Sequence, residues 1–60
     1  MKLTYYTNHA VTSKSLTEWY FGKKFVEAAI NNLKKLNNSR GQREIKVWQS
    51  GTGYLTVKIN

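Results

Sequence analysis

Two alternating runs near the C-terminus, Ile45-Lys46-Val47-Trp48 and Tyr54-Leu55-Thr56-Val57-Lys58-Ile59, are separated by Gln49-Ser50-Gly51-Thr52-Gly53. Successive side chains of a strand point to opposite faces, and a one-residue slip in pairing exchanges those faces. Parity therefore restricts the register. Pairing Trp48 with Tyr54 sets Val47 against Leu55 and Lys46 against Thr56, like with like. Pairing Trp48 with Leu55 would set a surface residue against a core residue. The expected element is a hairpin with three central turn residues, rich in turn formers. Its apolar face is Ile45, Val47, Leu55, Val57 and Ile59; its other face is Lys46, Trp48, Tyr54, Thr56 and Lys58.

Upstream, Lys2-Leu3-Thr4-Tyr5-Tyr6-Thr7 also alternates and is rich in strand formers. Leu3 and Tyr5 fall on one side, Lys2, Thr4 and Tyr6 on the other. Asn8 to Thr12 reads as a connection. Ser15-Leu16-Thr17-Glu18 then has the form of a capping box, in which serine and glutamate satisfy each other's backbone N–H groups. Trp19, Gly22, Val26, Ala29, Leu33 and Leu36 follow at spacings of three and four, widened by Phe25 and Ile30. This stripe predicts one helix from about Leu16 to about Leu36. Gly22 within it suggests that a strand passes close to the helix, a kink being the alternative. Tyr20 and Phe21 lie off the stripe, with Phe21 placed to pack beside Phe25.

The expected class is α+β, in the order β-α-β-β. A right-handed crossover makes the first strand parallel to the second. Inserting the third between them makes every neighbouring pair antiparallel. The expectation is a three-stranded sheet of order 1-3-2 with one helix on one face, forming a single domain over residues 1–60. A domain of 60 residues buries only about 60% of its unfolded surface. Without cysteine it has no disulfide or thiolate zinc site to staple it.

One helix covers one face, so the other face of the sheet should stay open. It would carry Lys2, Thr4, Tyr6, Lys46, Trp48, Tyr54, Thr56 and Lys58. Aromatic rings on a sheet stack bases and lysines track phosphates. Charge agrees with this reading: 10 Lys and Arg against 3 Glu give a formal +7, a field that attracts polyanions. The excess runs through the whole chain: Lys2, then five Lys against Glu18 and Glu27, then Arg40, Arg43, Lys46 and Lys58 against Glu44. Arg40-Gly41-Gln42-Arg43 is a second candidate, since guanidinium grips phosphate bidentately. Lys34 and Lys35 already offset the helix C-terminus, which leaves the two arginines without a structural task. Lys23, Lys24, Lys34 and Lys35 around Glu27 read as a solvated helix face.

Catalysis has little to build on. His9 is the one ready general base near neutral pH, and neither aspartate nor a second histidine accompanies it. One histidine and three carboxylates do not make a recognisable metal site. No phosphate-cradling glycine motif is present, and no cofactor is implied. No signal peptide and no apolar stretch of roughly 20 residues appear. An interfacial membrane helix built on Trp19 and Phe25 is set aside, because the same stripe suits the inward residues of three strands. Abundant Lys and Asn, with AT-rich codons, point to a low-GC bacterium, a phage or another mobile element.

The leading expectation is a small cytoplasmic nucleic-acid-binding protein that is not an enzyme. Its contacts would come from Lys2, Tyr6, Arg40, Arg43, Lys46, Trp48, Tyr54 and Lys58. The alternatives are a protein-interaction module or inhibitor of a host enzyme, and a homodimer that uses the open sheet face as its interface. Small sheet-first DNA-binding modules share the architecture only, and fold does not establish function.

Overall fold

The computed structural model describes residues 2–8 and 10–60. In chain order the elements are β1 (Leu3–Tyr6), β2 (Val11–Thr12), α1 (Lys14–Phe21), α2 (Lys23–Arg40), β3 (Glu44–Gln49) and β4 (Gly53–Ile59). The class is α+β. The sheet has four strands in the order β2-β1-β4-β3, and every neighbouring pair is antiparallel. The three-stranded, one-helix expectation is therefore corrected in two places.

The first correction is β2. Val11 and Thr12 are β-branched and suit a strand. They pair with Tyr6 and Tyr5, and the Thr7 N–H closes the intervening turn on the Ala10 carbonyl at 3.0 Å. The order of the other three strands, β1-β4-β3, follows the crossover argument. So does the hairpin register, with Trp48 opposite Tyr54 and Val47 opposite Leu55.

The second correction is the helix. Gly22 has φ 91° and ψ 140°, far from helical values, and divides the run into α1 and α2. A Cβ at Gly22 would meet nothing within 4 Å, so no strand passes close to it. The residue is there for its positive φ, which costs glycine little. The helix also starts earlier than the capping box implied. Ser13 is the N-cap, its Oγ accepting from the Leu16 N–H at 3.1 Å. At the far end, the Gly41 and Gln42 N–H groups return to the Asn37 and Leu36 carbonyls and close α2.

Breaking the helix resets its rotational phase. Ahead of Gly22 the inward residues are Thr17 and Phe21, and Trp19 is exposed, contrary to its place in the sequence stripe. Phe21 stacks on Phe25 at 5.7 Å. Thr17 is fully buried, and its hydroxyl donates to the Ser13 carbonyl at 2.7 Å. From α2, Val26, Ala29, Ile30 and Leu33 meet Tyr5, Leu55, Val57 and Ile59 from the sheet. Burying each large aliphatic side chain of this set stabilises the fold by roughly 1.5–3 kcal/mol. The Phe21 carbonyl, freed where α1 stops, accepts from Gln49 Nε2 at 2.9 Å. One hydrogen bond thus ties the helix break to β3.

Candidate nucleic-acid interface

Inward Tyr5, Leu55, Val57 and Ile59 are buried, so their alternate neighbours occupy the opposite face of the sheet. Register arranges that face in rows. Trp48 of β3 stands opposite Tyr54 of β4. Lys46 stands opposite Thr56, which faces Tyr6 of β1. Glu44 stands opposite Lys58, which faces Thr4. Tyr6 lies one diagonal step from Tyr54, a separation of about 7–8 Å in an antiparallel pair. Trp48, Tyr54 and Tyr6 therefore form an oblique track across three strands.

The aromatic end of this face is well defined. Trp48 and Tyr54 are 60% and 46% exposed. Their rings meet edge to face at 4.8 Å and 60°. Lys46 Nζ sits 4.5 Å from the centre of the Tyr54 ring, a cation–π arrangement. Asn8, just beyond β1, steadies this end: its Oδ1 accepts from the Tyr54 N–H at 3.1 Å. The Asn8 amide occupies the space that a Cβ on Gly53 would need, and Gly53 has φ 115°. Glycine at 53 thus lets the first strand lock onto the start of the fourth.

No protein-family model matches the chain. Neither a curated protein nor a solved structure resembles it significantly.

The expected site residues do not form one surface. Lys46, Trp48 and Tyr54 come together, and Tyr6 adjoins them, half-buried. Lys58 lies on the same face but toward the other end, with Glu44 as its cross-strand partner. Lys2 precedes β1 and is exposed; its carbonyl accepts from the Asn60 N–H. Arg43 has a structural task after all. Its guanidinium donates to the carbonyls of Ile59, at 3.3 Å, and Asn60, at 2.8 Å. Its own carbonyl accepts from the Ile59 N–H at 2.7 Å. Arg40 is the last residue of α2 rather than part of a loop, where its charge offsets the helix dipole. The expected Arg40–Arg43 phosphate grip is thus replaced by a helix end and a clasp on β4.

Sequence reasoning overlooked Glu44, which places a carboxylate on the open face, and Asn8, which fixes Tyr54. Parity applied one residue further upstream would have found Glu44; nothing local marks Asn8. It also placed Trp19 in the core. In the structure Trp19 and Tyr20 are exposed on α1, their rings edge to face at 5.0 Å. Two further surface hollows carry charge. One, between Arg43, Glu44 and Lys58, holds both signs; the other, between Lys14, Lys34, Leu3 and Tyr5, is cationic only. Burial pushes the Tyr5 phenol above its ordinary value, with the Glu18 carboxylate adding to the shift. Among the described residues no three metal-ligating side chains cluster, and no helix is long and apolar enough to cross a membrane. His9 lies outside the described residues.

Proposed function

We propose that this chain is a small cytoplasmic nucleic-acid-binding protein that uses the open face of its sheet and performs no chemistry. The observation that carries the reading is the exposed Trp48–Tyr54 pair with Lys46 against the Tyr54 ring. Exposed rings offer flat stacking partners for unpaired bases, and each base–ring contact is worth roughly 1–3 kcal/mol. Lys46, Lys58 and Lys2 supply cations that attract a phosphate backbone, within a chain of net +7. Glu44 beside Lys58 concentrates the attraction at the aromatic end.

A titration of single-stranded DNA, single-stranded RNA and duplex at low salt tests the proposal. Trp19→Phe leaves Trp48 as the sole indole reporter, and its emission should quench on binding. Trp48→Ala should weaken binding by about tenfold to a hundredfold, on the stacking magnitudes above. Lys46→Ala/Lys58→Ala should flatten the salt dependence on a single strand, by about 0.7 in log–log slope for each phosphate that the variant leaves unneutralised. Undetectable binding to all three nucleic acids at low salt overturns the reading. A partner captured from lysate that survives nuclease treatment would favour the protein-interaction module instead.

A further inference from the structure

We infer that the outer side of α1, formed by Leu16, Trp19 and Tyr20, is a docking surface for a second copy of this chain. The inference is independent of the proposed nucleic-acid site. Six large hydrophobic side chains of the described residues are exposed, and these three occupy one short helix. Thr17 and Phe21 hold the opposite side of α1 in the core. Leu16 and Tyr20, one turn apart, also line a groove of about 380 Å3, whose other walls include Asn8, Val11, Thr12 and Thr52. Trp19 does not line the groove but meets Tyr20, which does, edge to face at 5.0 Å. Val11 pairs with Tyr6 across the sheet edge, so it marks where this surface meets the open face.

Charge selects the occupant. The chain carries +7, so two copies repel wherever their lysines approach. None of the described residues lining the groove is charged. An acidic protein, a nucleic acid or an anionic bilayer gains most where cations stand, as at Lys46 on the sheet. An uncharged surface rich in Trp and Tyr is what self-association favours, because aromatic residues are enriched and lysine is depleted at interfaces. Paired copies related by a two-fold axis are the commonest assembly. The area is adequate for a weak dimer. A standard interface takes about 800 Å2 from each partner, against 4285 Å2 for the whole chain. Trp19 and Tyr20, 77% and 57% exposed, contribute on the order of 300 Å2 of it, since aromatic side chains bury about 150–250 Å2 each. Leu16 and the hydroxyl-bearing rim add to this, which places the contact in the smaller size class.

Sedimentation velocity on the full chain, up to millimolar concentration and over a series of salt concentrations, tests the inference. The expected result is a monomer–dimer equilibrium that tightens as salt rises, because screening weakens the repulsion of like-charged copies. Trp19→Glu should raise the dissociation constant at least tenfold, while Trp48→Glu leaves it unchanged. If Trp19→Glu melts early, Leu16→Gln takes its place with the same expectation. A monomer under all conditions overturns the inference. So does a dimer that loosens as salt rises, which would be held by charge, and so does one abolished by Trp48→Glu alone, which would belong to the sheet face. Retention on phosphatidylserine vesicles that is lost in Trp19→Glu, with no dimer in solution, would assign the surface to lipid and also overturn it.

Discussion

Two Trp–Tyr pairs stand on different elements of this molecule with similar edge-to-face ring geometry. Trp48–Tyr54 lies on the open face and Trp19–Tyr20 on α1, at 4.8 and 5.0 Å. Their settings differ. The sheet pair is cross-strand, held by hairpin register, with Lys46 against one ring. The helix pair consists of sequence neighbours, exposed because α1 is out of phase with α2, beside a groove whose described walls carry no charge. Like rings thus serve unlike ends. A cation beside the ring suits a polyanion, and an uncharged rim suits a surface that a +7 chain can share with its own copy.

The largest expected effect comes from removing the anchor that positions the helix pair. Phe21 is 5% exposed and stacks on Phe25. Phe21→Ala should cost about 3–5 kcal/mol, the usual range for truncating a buried aromatic. A domain of this size has a total stability of roughly 3–9 kcal/mol, so chemical denaturation should show a large loss. If the loss is under about 1 kcal/mol, α1 is not anchored through Phe21 and the contrast between the two faces fails.

How much of this contrast the sequence disclosed depends on what each region rests upon. The sheet pair was legible because parity is strict: Trp48 opposite Tyr54 follows from the apolar residues that flank them. The helix pair was not, because a 3.6-residue period predicts faces only while the helix is continuous. At Gly22 the backbone leaves helical values, so Trp19 lost the phase of Val26 and Leu33, and Phe21 took the inward place. Strand β2 escaped notice because two residues cannot display an alternation. Arg43 looked free because its acceptors, Ile59 and Asn60, are distant in sequence. The capping-box spacing points to Ser15 as the N-cap, but the cap is Ser13, two residues earlier, whose carbonyl also accepts from the Thr17 hydroxyl.

Gly22→Ala is a sharper and smaller perturbation of the same contrast. Alanine in place of glycine lowers the entropy of the unfolded chain, worth about 0.4–1 kcal/mol, and the space around a Cβ is open. Yet φ 91° is a backbone state that alanine rarely adopts, with a cost of order 1–3 kcal/mol. Thermal unfolding should therefore show a net loss near 1 kcal/mol. In a Trp48→Phe background, Trp19 emission should stay red, because Phe21 and Thr17 still hold the outward phase. A blue shift with a gain in stability would mean that one continuous helix, with Trp19 inside, is the better fold.

The smallest effect is confined to alkaline pH and joins the two regions. Tyr5 points inward from β1, and its phenol is raised above 10.0 by burial, with Glu18 of α1 contributing. A raised pKa means that the folded state holds the proton more tightly than the unfolded state. The stabilisation is complete below the unfolded value near pH 10. It is lost as pH rises through the folded value, because the unfolded phenol ionises first while the folded one resists. Tyr5→Phe should therefore make the melting temperature less sensitive to pH above about 10. Glu18→Gln should have the same sign and a smaller size, since burial is the larger cause. Identical alkaline profiles for wild type and Tyr5→Phe would mean that the phenol reaches water. The core around Tyr5 and Phe21, from which both regions are built, would then be looser than the 7% exposure of Tyr5 indicates.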